Sequence, residues 1–382
     1  MKFTGPWLTD PRTARLFDAI ESTGHQAFFV GGVVRNAALG VPVSDIDLAT
    51  DARPEIVSNA AENAGLRVVP TGIDHGTVTV VVDGLAHEVT TFRRDVETDG
   101  RRAVVAFTDQ LEADAARRDF TMNALYANRE GQVIDTVGGL ADLEARRVRF
   151  VGDAEARVAE DYLRILRFFR FHAWYGEPSG GIDSEGLAAV SAGADGLDAL
   201  PAERVGYEML RLLAAPDPAP ALASMAQTGI LARVLPGASA DVLTRLVHFE
   251  GSAEPDAIRR LTALGGQEAE SRFRLSRQDA KRLASLREAI GSATGPAELA
   301  WRAGKDMAWD VVRLRAAIFE TLPLPDVADQ IKLGASATFP VSAADLMPEF
   351  KGPALGAELS ALEDRWIASG FQLTRDALLS RG

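Results

Sequence analysis

The stretch FFVGGVVRNAALGVPVSDIDLAT, residues 28–50, holds most of what decides the fold. It opens on an apolar run, passes two glycines into a helical pattern, and ends on two aspartates one residue apart. QAFFV, residues 26–30, is predicted as a buried strand, a helix opens after Gly31-Gly32, and SDIDLAT, residues 44–50, returns as a second strand. Alternation along that strand turns Asp45 and Asp47 to one face and sends Ile46 and Leu48 into the core. Two like charges at that spacing repel. A bound cation offsets the repulsion, and so does bulk water. Paired carboxylates hold Mg²⁺ through oxygen and, with two metals, clamp the oxygens of phosphoryl transfer. A solvated strand face is the plain alternative.

The flanks favour the first reading. Gly31 and Gly32 let backbone approach a phosphate closely, at a helix end that favours negative charge. Arg35, in the first turn of that helix, reaches the same anion. A third acid is available in HEVTTFR, residues 87–93, where Glu88 shares a face with Thr90 and Phe92. Beside the SDIDL strand it joins the aspartates; elsewhere it is an exposed strand glutamate.

Around this core lies a mixed pattern. RPEIVSNAAENAG, residues 53–65, is helical in period and stops at a glycine. GTVTVVVDG and LAHEVTTF, residues 76–92, form paired strands turning at Asp83-Gly84. RRDVETDGRRAVVAF, residues 93–107, is expected as a polar, mobile loop around Asp99-Gly100 with a strand at its end. VIDTVGGLADL, residues 133–143, adds a strand and a glycine turn. Beyond residue 144 the strand signal fades into helical patterns, broken at EPSGG, APDPAP, LPGAS and TLPLPD.

Hydrophobic residues make up 47% of the 382 and charged residues 25%, ordinary for a soluble globular chain. No run of 18 apolar residues spans a membrane, and the N-terminus lacks the apolar core of a signal peptide, so a cytoplasmic protein is expected. Zero cysteines exclude disulfides, thiolate metal sites and a Cys nucleophile. Five histidines with no HExxH and no His-Asp dipeptide argue against a zinc hydrolase or a His-Asp phosphohydrolase. The net charge of −13 disfavours strong nonspecific nucleic-acid binding, although a basic groove fits within an acidic chain.

Two further stretches carry chemistry. In ARRDFTMNAL, residues 116–125, Asp119 and Asn123 are four apart on an expected helix, behind Arg117 and Arg118. Guanidinium suits phosphate oxygens and carboxylate suits ribose hydroxyls; a surface helix with internal pairs is the alternative. Residues 153–175 are predicted as one helix. At about 100° per residue, Arg157, Glu160, Asp161, Arg164 and Arg167 form one stripe, and Val158, Ile165, Leu166 and Phe169 lie largely opposite. A solvated face laced with salt bridges explains that stripe equally.

GGVVRN followed by SDIDLAT resembles the first motif of the polymerase-beta-like nucleotidyltransferases, and most closely the class II bacterial CCA tRNA nucleotidyltransferase / poly(A) polymerase family. VTTFR, ARRDFTMNAL and AEDYLRILRFFRF resemble three further motifs of that family, in its order, across residues 27–171. One departure is Asn36, where the family usually carries Asp.

The resemblance implies an α+β head (a mixed sheet with helices) followed by an all-α neck, body and tail. The expected divisions are residues 1–143 for the catalytic head, 144–235 for the neck and body with the base-selecting helix, and 236–382 for body and tail on tRNA. It implies transfer of CMP and AMP from CTP and ATP to the tRNA 3′ end, with Mg²⁺ and release of pyrophosphate. Asp45 and Asp47 are the implied metal ligands and, with Glu88, the catalytic acids. Gly31, Gly32, Arg35, Arg118, Asp119, Asn123, Asp161, Arg164 and Arg167 are the implied nucleotide-binding residues, with Asp119 on the ribose and Arg118 and Asn123 on the triphosphate. Asp161 and Arg164 read the base: cytosine and adenine each set an amino donor beside a ring-nitrogen acceptor, which a carboxylate and an arginine match. Uracil and guanine reverse that order and leave polar groups unpaired. The substantial 93–107 segment points to full CCA addition, because CC-adding relatives have a shortened one.

AERVGYEMLRLL, residues 202–213, resembles a neck or body helix of the family. Gly352-Pro353 is either a phosphate-binding helix start or a simple one. The basic stretch at residues 272–287 serves RNA or solvent equally well. The rivals are poly(A) polymerase, a CC-only or A-only enzyme and, from another class, a nonenzymatic RNA-binding protein with a degenerate head. A strongly basic tail would favour the first, and the intact Asp45, Asp47, Asp161 and Arg164 oppose the last. Oligomeric state is not encoded in any of these motifs.

Overall fold

A computed structural model describes residues 1–43, 45–69, 72–73, 76–98, 103–177 and 180–380. The chain divides into two compact units, one of residues 1–240 with 266–274, the other of residues 241–265 with 275–382.

The first unit begins with α1 (Pro11–Glu21), β1 (Ala27–Val30), α2 (Gly32–Leu39), β2 (Ile46–Thr50) and α3 (Pro54–Asn63). β3 (Arg67–Val69), β4 (Thr77–Val82), β5 (Leu85–Thr91), β6 (Arg93–Thr98) and β7 (Ala103–Phe107) follow. Seven strands form one sheet in the order β3-β4-β5-β2-β1, completed by β8 (Leu125–Ala127) and β9 (Val133–Asp135). β2 and β5 are parallel, and the other pairs are antiparallel. β1 is buried along its whole length because both faces of the sheet are covered. Phe29 packs on Trp7 and Phe17, and Phe28 stacks on Phe92. The β4–β5 hairpin turns at Asp83 and Gly84, with φ of 46° and 83°, as a two-residue turn between right-twisted strands requires. β3 and β8, of three residues each, are too short to have been anticipated, and α1, with its Asp10 cap and Pro11 start, was not singled out.

Three local expectations need correction. The 93–107 segment is mostly paired: β6 and β7 form a separate antiparallel ribbon with an irregularity between Asp95 and Glu97. Cross-strand hydrogen bonding offsets its polar composition; Asp99 and Gly100 lie outside the described residues, as do Ser44, Pro178 and Ser179. Asp119 and Asn123 do not share a helix. α4 (Leu111–Ala116) ends before Arg117, and Thr121–Asn123 is a separate 3₁₀ turn. Between them Phe120 is extended and bridges to Phe150.

After α5 (Gly139–Glu144) the expected 153–175 helix is two, α6 (Ala154–Glu160) and α7 (Leu163–Tyr175). Asp161 is extended (φ −153°, ψ 105°), and its carboxylate accepts from the Leu163 amide at 3.1 Å, capping the next turn. Val158, Ile165, Leu166 and Phe169 are all buried, as the periodicity requires. α8 (Ser184–Ala192), α9 (Ala202–Leu213), α10 (Ala219–Gln227) and α11 (Ile230–Val234) continue the helical part.

α12 (Ala240–Glu250) opens the second unit, followed by α13 (Ala257–Leu264). α14 (Ala269–Arg272) belongs to the first unit. α15 (Arg277–Gly291), α16 (Pro296–Ala303), α17 (Lys305–Phe319), α18 (Val327–Ser336), α19 (Pro353–Ala368) and α20 (Arg375–Leu379) complete the chain. No helix among the described residues is long and apolar enough to cross a membrane.

Candidate active site

The parallel register of β2 and β5 sets Asp47 opposite Glu88. Asp47 is half-buried between Ile46 and Leu48, which point into the core. Asp45 precedes the strand and is exposed. Burial pushes the Asp47 carboxyl up to about 6, helped by the negative charges of Glu88 and Asp45 and partly relieved by Arg118 and Arg35. Among the described residues no three acidic or histidine side chains form a ready-made metal cluster.

Asp47 and Glu88 open onto a cavity of about 320 Å³. Five arginines line it: Arg35, Arg93, Arg118, Arg167 and Arg170. Gly31 and Gly32 form its floor, where α2 begins. Gly31 has φ of 65°, a conformation that glycine adopts without strain, so it suits the turn. The Gly31 amide donates to the Leu125 carbonyl, which fixes the turn on β8.

Three of these arginines, Arg118, Arg35 and Arg167, are aimed by specific partners. Arg118 is clamped through Nε and Nη2 by Asp114, and its Nε also meets the Tyr126 hydroxyl at 2.9 Å. Tyr126 donates to the same Asp114 oxygen at 2.7 Å. Burial alone would lower the Arg118 pKa; the Asp114 charge overrides this and raises it. The Asp114 carboxyl, opposed by burial but held by Arg118 and Arg117, falls to about 2. Arg35 lies buried between Asn123 Oδ1 at 2.5 Å, Asn36 Oδ1 at 3.0 Å and the Tyr175 hydroxyl at 2.9 Å. Asp119 accepts from Arg167, from Asn123 Nδ2 at 3.0 Å and from the Phe120 amide at 2.8 Å. Burial opposes its ionisation, yet Arg167 and these donors hold its carboxyl at about 2.

Asp161 and Arg164 stand apart from the cavity lining. Asp161 accepts from Arg204 of α9 at 2.7 Å. Arg164 donates to Glu160 and to the carbonyls of Arg157 and Arg117. The structure thus gathers Gly31, Gly32, Arg35, Asp47, Glu88, Arg118, Asp119, Asn123 and Arg167 in one place, with Asp45 adjoining Asp47. Asp114, Tyr126, Tyr175, Arg204 and Glu208 hold these groups and were not singled out by sequence reasoning. Only Asp114 left a signal, its four-residue spacing from Arg118.

Residues 27–149 match the family model of the poly A polymerase head domain, and residues 181–242 match that of a probable RNA- and SrmB-binding site of polymerase A. The CCA-adding enzyme of Lacticaseibacillus paracasei is 35% identical over 373 residues, 92% of this chain and 90% of that one. The chain belongs to the CCA-adding enzyme family. It is therefore a nucleotidyltransferase. The mitochondrial CCA tRNA nucleotidyltransferase 1 of Mus musculus is 40% identical over 199 residues, and that alignment spans 46%, about half, of the mouse enzyme. The crystal structure of the Bacillus stearothermophilus CCA-adding enzyme in complex with CTP superposes with a TM-score of 0.78 at 30% identity, covering 96% of this chain and 94% of that one. The family's α+β head and helical remainder are the fold described above.

Proposed function

We propose that this chain adds CMP and then AMP, from CTP and ATP, to the 3′ end of tRNA. The observation that carries the reading is the single cavity where an acidic pair, Asp47 and Glu88, faces five arginines across a glycine turn. An arginine-lined wall suits a triphosphate, and hard oxygen donors at its mouth suit a divalent cation. In the reaction the tRNA 3′-oxygen bonds to the α-phosphorus, the bond from that phosphorus to the bridging oxygen breaks, and pyrophosphate leaves, its developing charge met by the arginines. The hydroxyl proton passes to solvent.

The charge at Asp47, only partly relieved by Arg118 and Arg35, fits Mg²⁺. This ion is usually held by one or two carboxylates plus substrate phosphates, so a three-acid cage is not needed. Asp45 and Asp47 would hold it, with Glu88 beside them, and when bound it would acidify the attacking hydroxyl and stabilise the leaving oxygen. Arg118 presents Nη1 to the triphosphate because Asp114 and Tyr126 occupy its other nitrogens. Asp119 aligns Arg167 and Asn123, and a ribose hydroxyl exchanges with one of its present donors. Asp161 and Arg164 select the base, Asp161 being steadied by Arg204.

The test is extension of tRNA transcripts ending before CCA, after C and after CC, with each nucleoside triphosphate offered singly and in mixtures. Growth stopping at CCA on all three is expected. Stopping at CC, extension only from CC, or a long A ladder would replace the reading with a partial enzyme or a poly(A) polymerase. No extension would leave RNA binding alone. Asp161→Ala is expected to admit UTP and GTP, and unchanged rejection would refute the base-reading role.

A further inference from the structure

The cavity arginines are not equivalent. Arg118 has Asp114, Arg167 has Asp119, and Arg170 has Glu208. Arg35 is only 7% exposed and, among the described residues, has no carboxylate at ion-pair distance. Its guanidinium is held by neutral groups: two side-chain amides and the Tyr175 hydroxyl. The Tyr175 ring lies 4.1 Å from Arg35 Cζ, and the Phe171 ring lies 5.4 Å from it. Burying a cation without a directly paired anion is costly, and here Asp119 acts on it only from beyond ion-pair distance. Here oriented dipoles and an aromatic face offset the cost. Tyr175 is also the last residue of α7, so that helix's negative end adds to the same potential.

We propose that Tyr175 is a positioning residue that holds Arg35 as an aimed cation with no carboxylate in direct contact, for the phosphate tail of the nucleotide. A carboxylate in its place would orient Arg35 equally well and cancel its charge. The phenol orients without cancelling. Asn36 acts likewise from the other side, as an amide where a carboxylate of the same shape would fit. This rests on the nucleotide-binding reading above and adds to it a residue 140 positions away in sequence.

The experiment is calorimetric titration of CTP and of CMP into the full-length chain, its Tyr175→Phe and Tyr175→Leu variants, and Asn36→Asp. Losing one hydrogen bond, at the ordinary net value, should weaken CTP about threefold to tenfold in Tyr175→Phe. Losing the ring as well should bring the loss in Tyr175→Leu to roughly thirtyfold. CMP, lacking the phosphate tail, should shift less than about twofold, since its contacts avoid this charge-assisted bond. In steady state the KM for CTP should rise more than kcat falls. Equal losses for CTP and CMP would mean a merely structural role and overturn the proposal. If Tyr175→Leu does not fold, an unchanged CTP-to-CMP ratio in both Tyr175→Phe and Asn36→Asp overturns it. A wild-type chain that prefers CTP to CMP but never extends tRNA would instead sink the proposed function and leave this inference standing.

Discussion

Asp47 carries a conflict that only its chemistry resolves. Its carboxyl is pushed up to about 6 from an ordinary 3.8, first by burial and then by Glu88 and Asp45. A raised carboxyl pKa means the folded state binds the proton more tightly. That contribution to stability is complete below pH 3.8 and is lost as the pH rises through 6. The metal-free fold should therefore be stabilised by Asp47→Asn, by about 1–2 kcal/mol at pH 7.5, with little gain near pH 4. Transfer should meanwhile fall by at least roughly a thousandfold, as expected when a metal ligand is lost. Urea titrations in EDTA at the two pH values check the first part, and an equal gain at both would refute the repulsion. The outward turn of Asp47 between Ile46 and Leu48 was legible from sequence because strand alternation has a period of two, whereas Glu88 opposite it depends on a strand pairing that the sequence left open. The partners of the arginines were not legible, since Arg35 meets Tyr175 and Arg167 meets Asp119 across 140 and 48 residues.

At the scale of elements, the break between α6 and α7 shows where local pattern stops being informative. Val158, Ile165, Leu166 and Phe169 fit one continuous helix, and each is buried in the two observed ones. What sets the break is tertiary. Arg204 draws on the Asp161 carboxylate, and the Tyr162 ring lies against Gly196, where a Cβ would come within 2.2 Å of the ring carbons. Neither partner can be inferred from the periodicity of residues 153–175. The β6–β7 ribbon is the same case in another form, since its polar strand is defined by pairing and not by apolar alternation. Gly196→Ala should push Tyr162 out of its seat and cost about 2 kcal/mol, as overpacking usually does. Because Asp161 precedes Tyr162, the variant should also accept UTP more readily than wild type at equal CTP turnover. Thermal denaturation and a CTP/UTP competition assay measure the two effects. A destabilised variant with unchanged base choice would detach the break from selectivity.

Across the whole molecule, arginine content overstates the charge left for nucleic acid. In the second unit Arg259 and Arg260 donate to Glu250, Arg259 also to Asp310, and Arg282 to Asp256 and Asp310. The Glu250, Arg259 and Arg260 side chains are 5% exposed or less, so these charges are internal structure. That explains why composition does not assign the basic stretch at residues 272–287: the charge of Arg282 within it is shared by two aspartates. Buried ion pairs add little net stability, but removing one partner is severe, about 3–5 kcal/mol, because the remaining charge stays buried. Glu250→Gln removes the carboxylate that two guanidiniums share. The cavity with Asp47 and Glu88 lies wholly in the first unit, so the damage should be local. Trp301, Trp309 and Trp366 belong to the second unit and, with Trp7 and Trp174 of the first replaced by Phe, report on it by fluorescence, while CTP affinity reports on the first. In Glu250→Gln the fluorescence transition should move to lower urea, with CTP affinity before that transition within about twofold of wild type, as for distant independent sites. Loss of CTP binding in parallel with the fluorescence change would show that the two units unfold as one, and that Glu250 supports the site as well as its own helices.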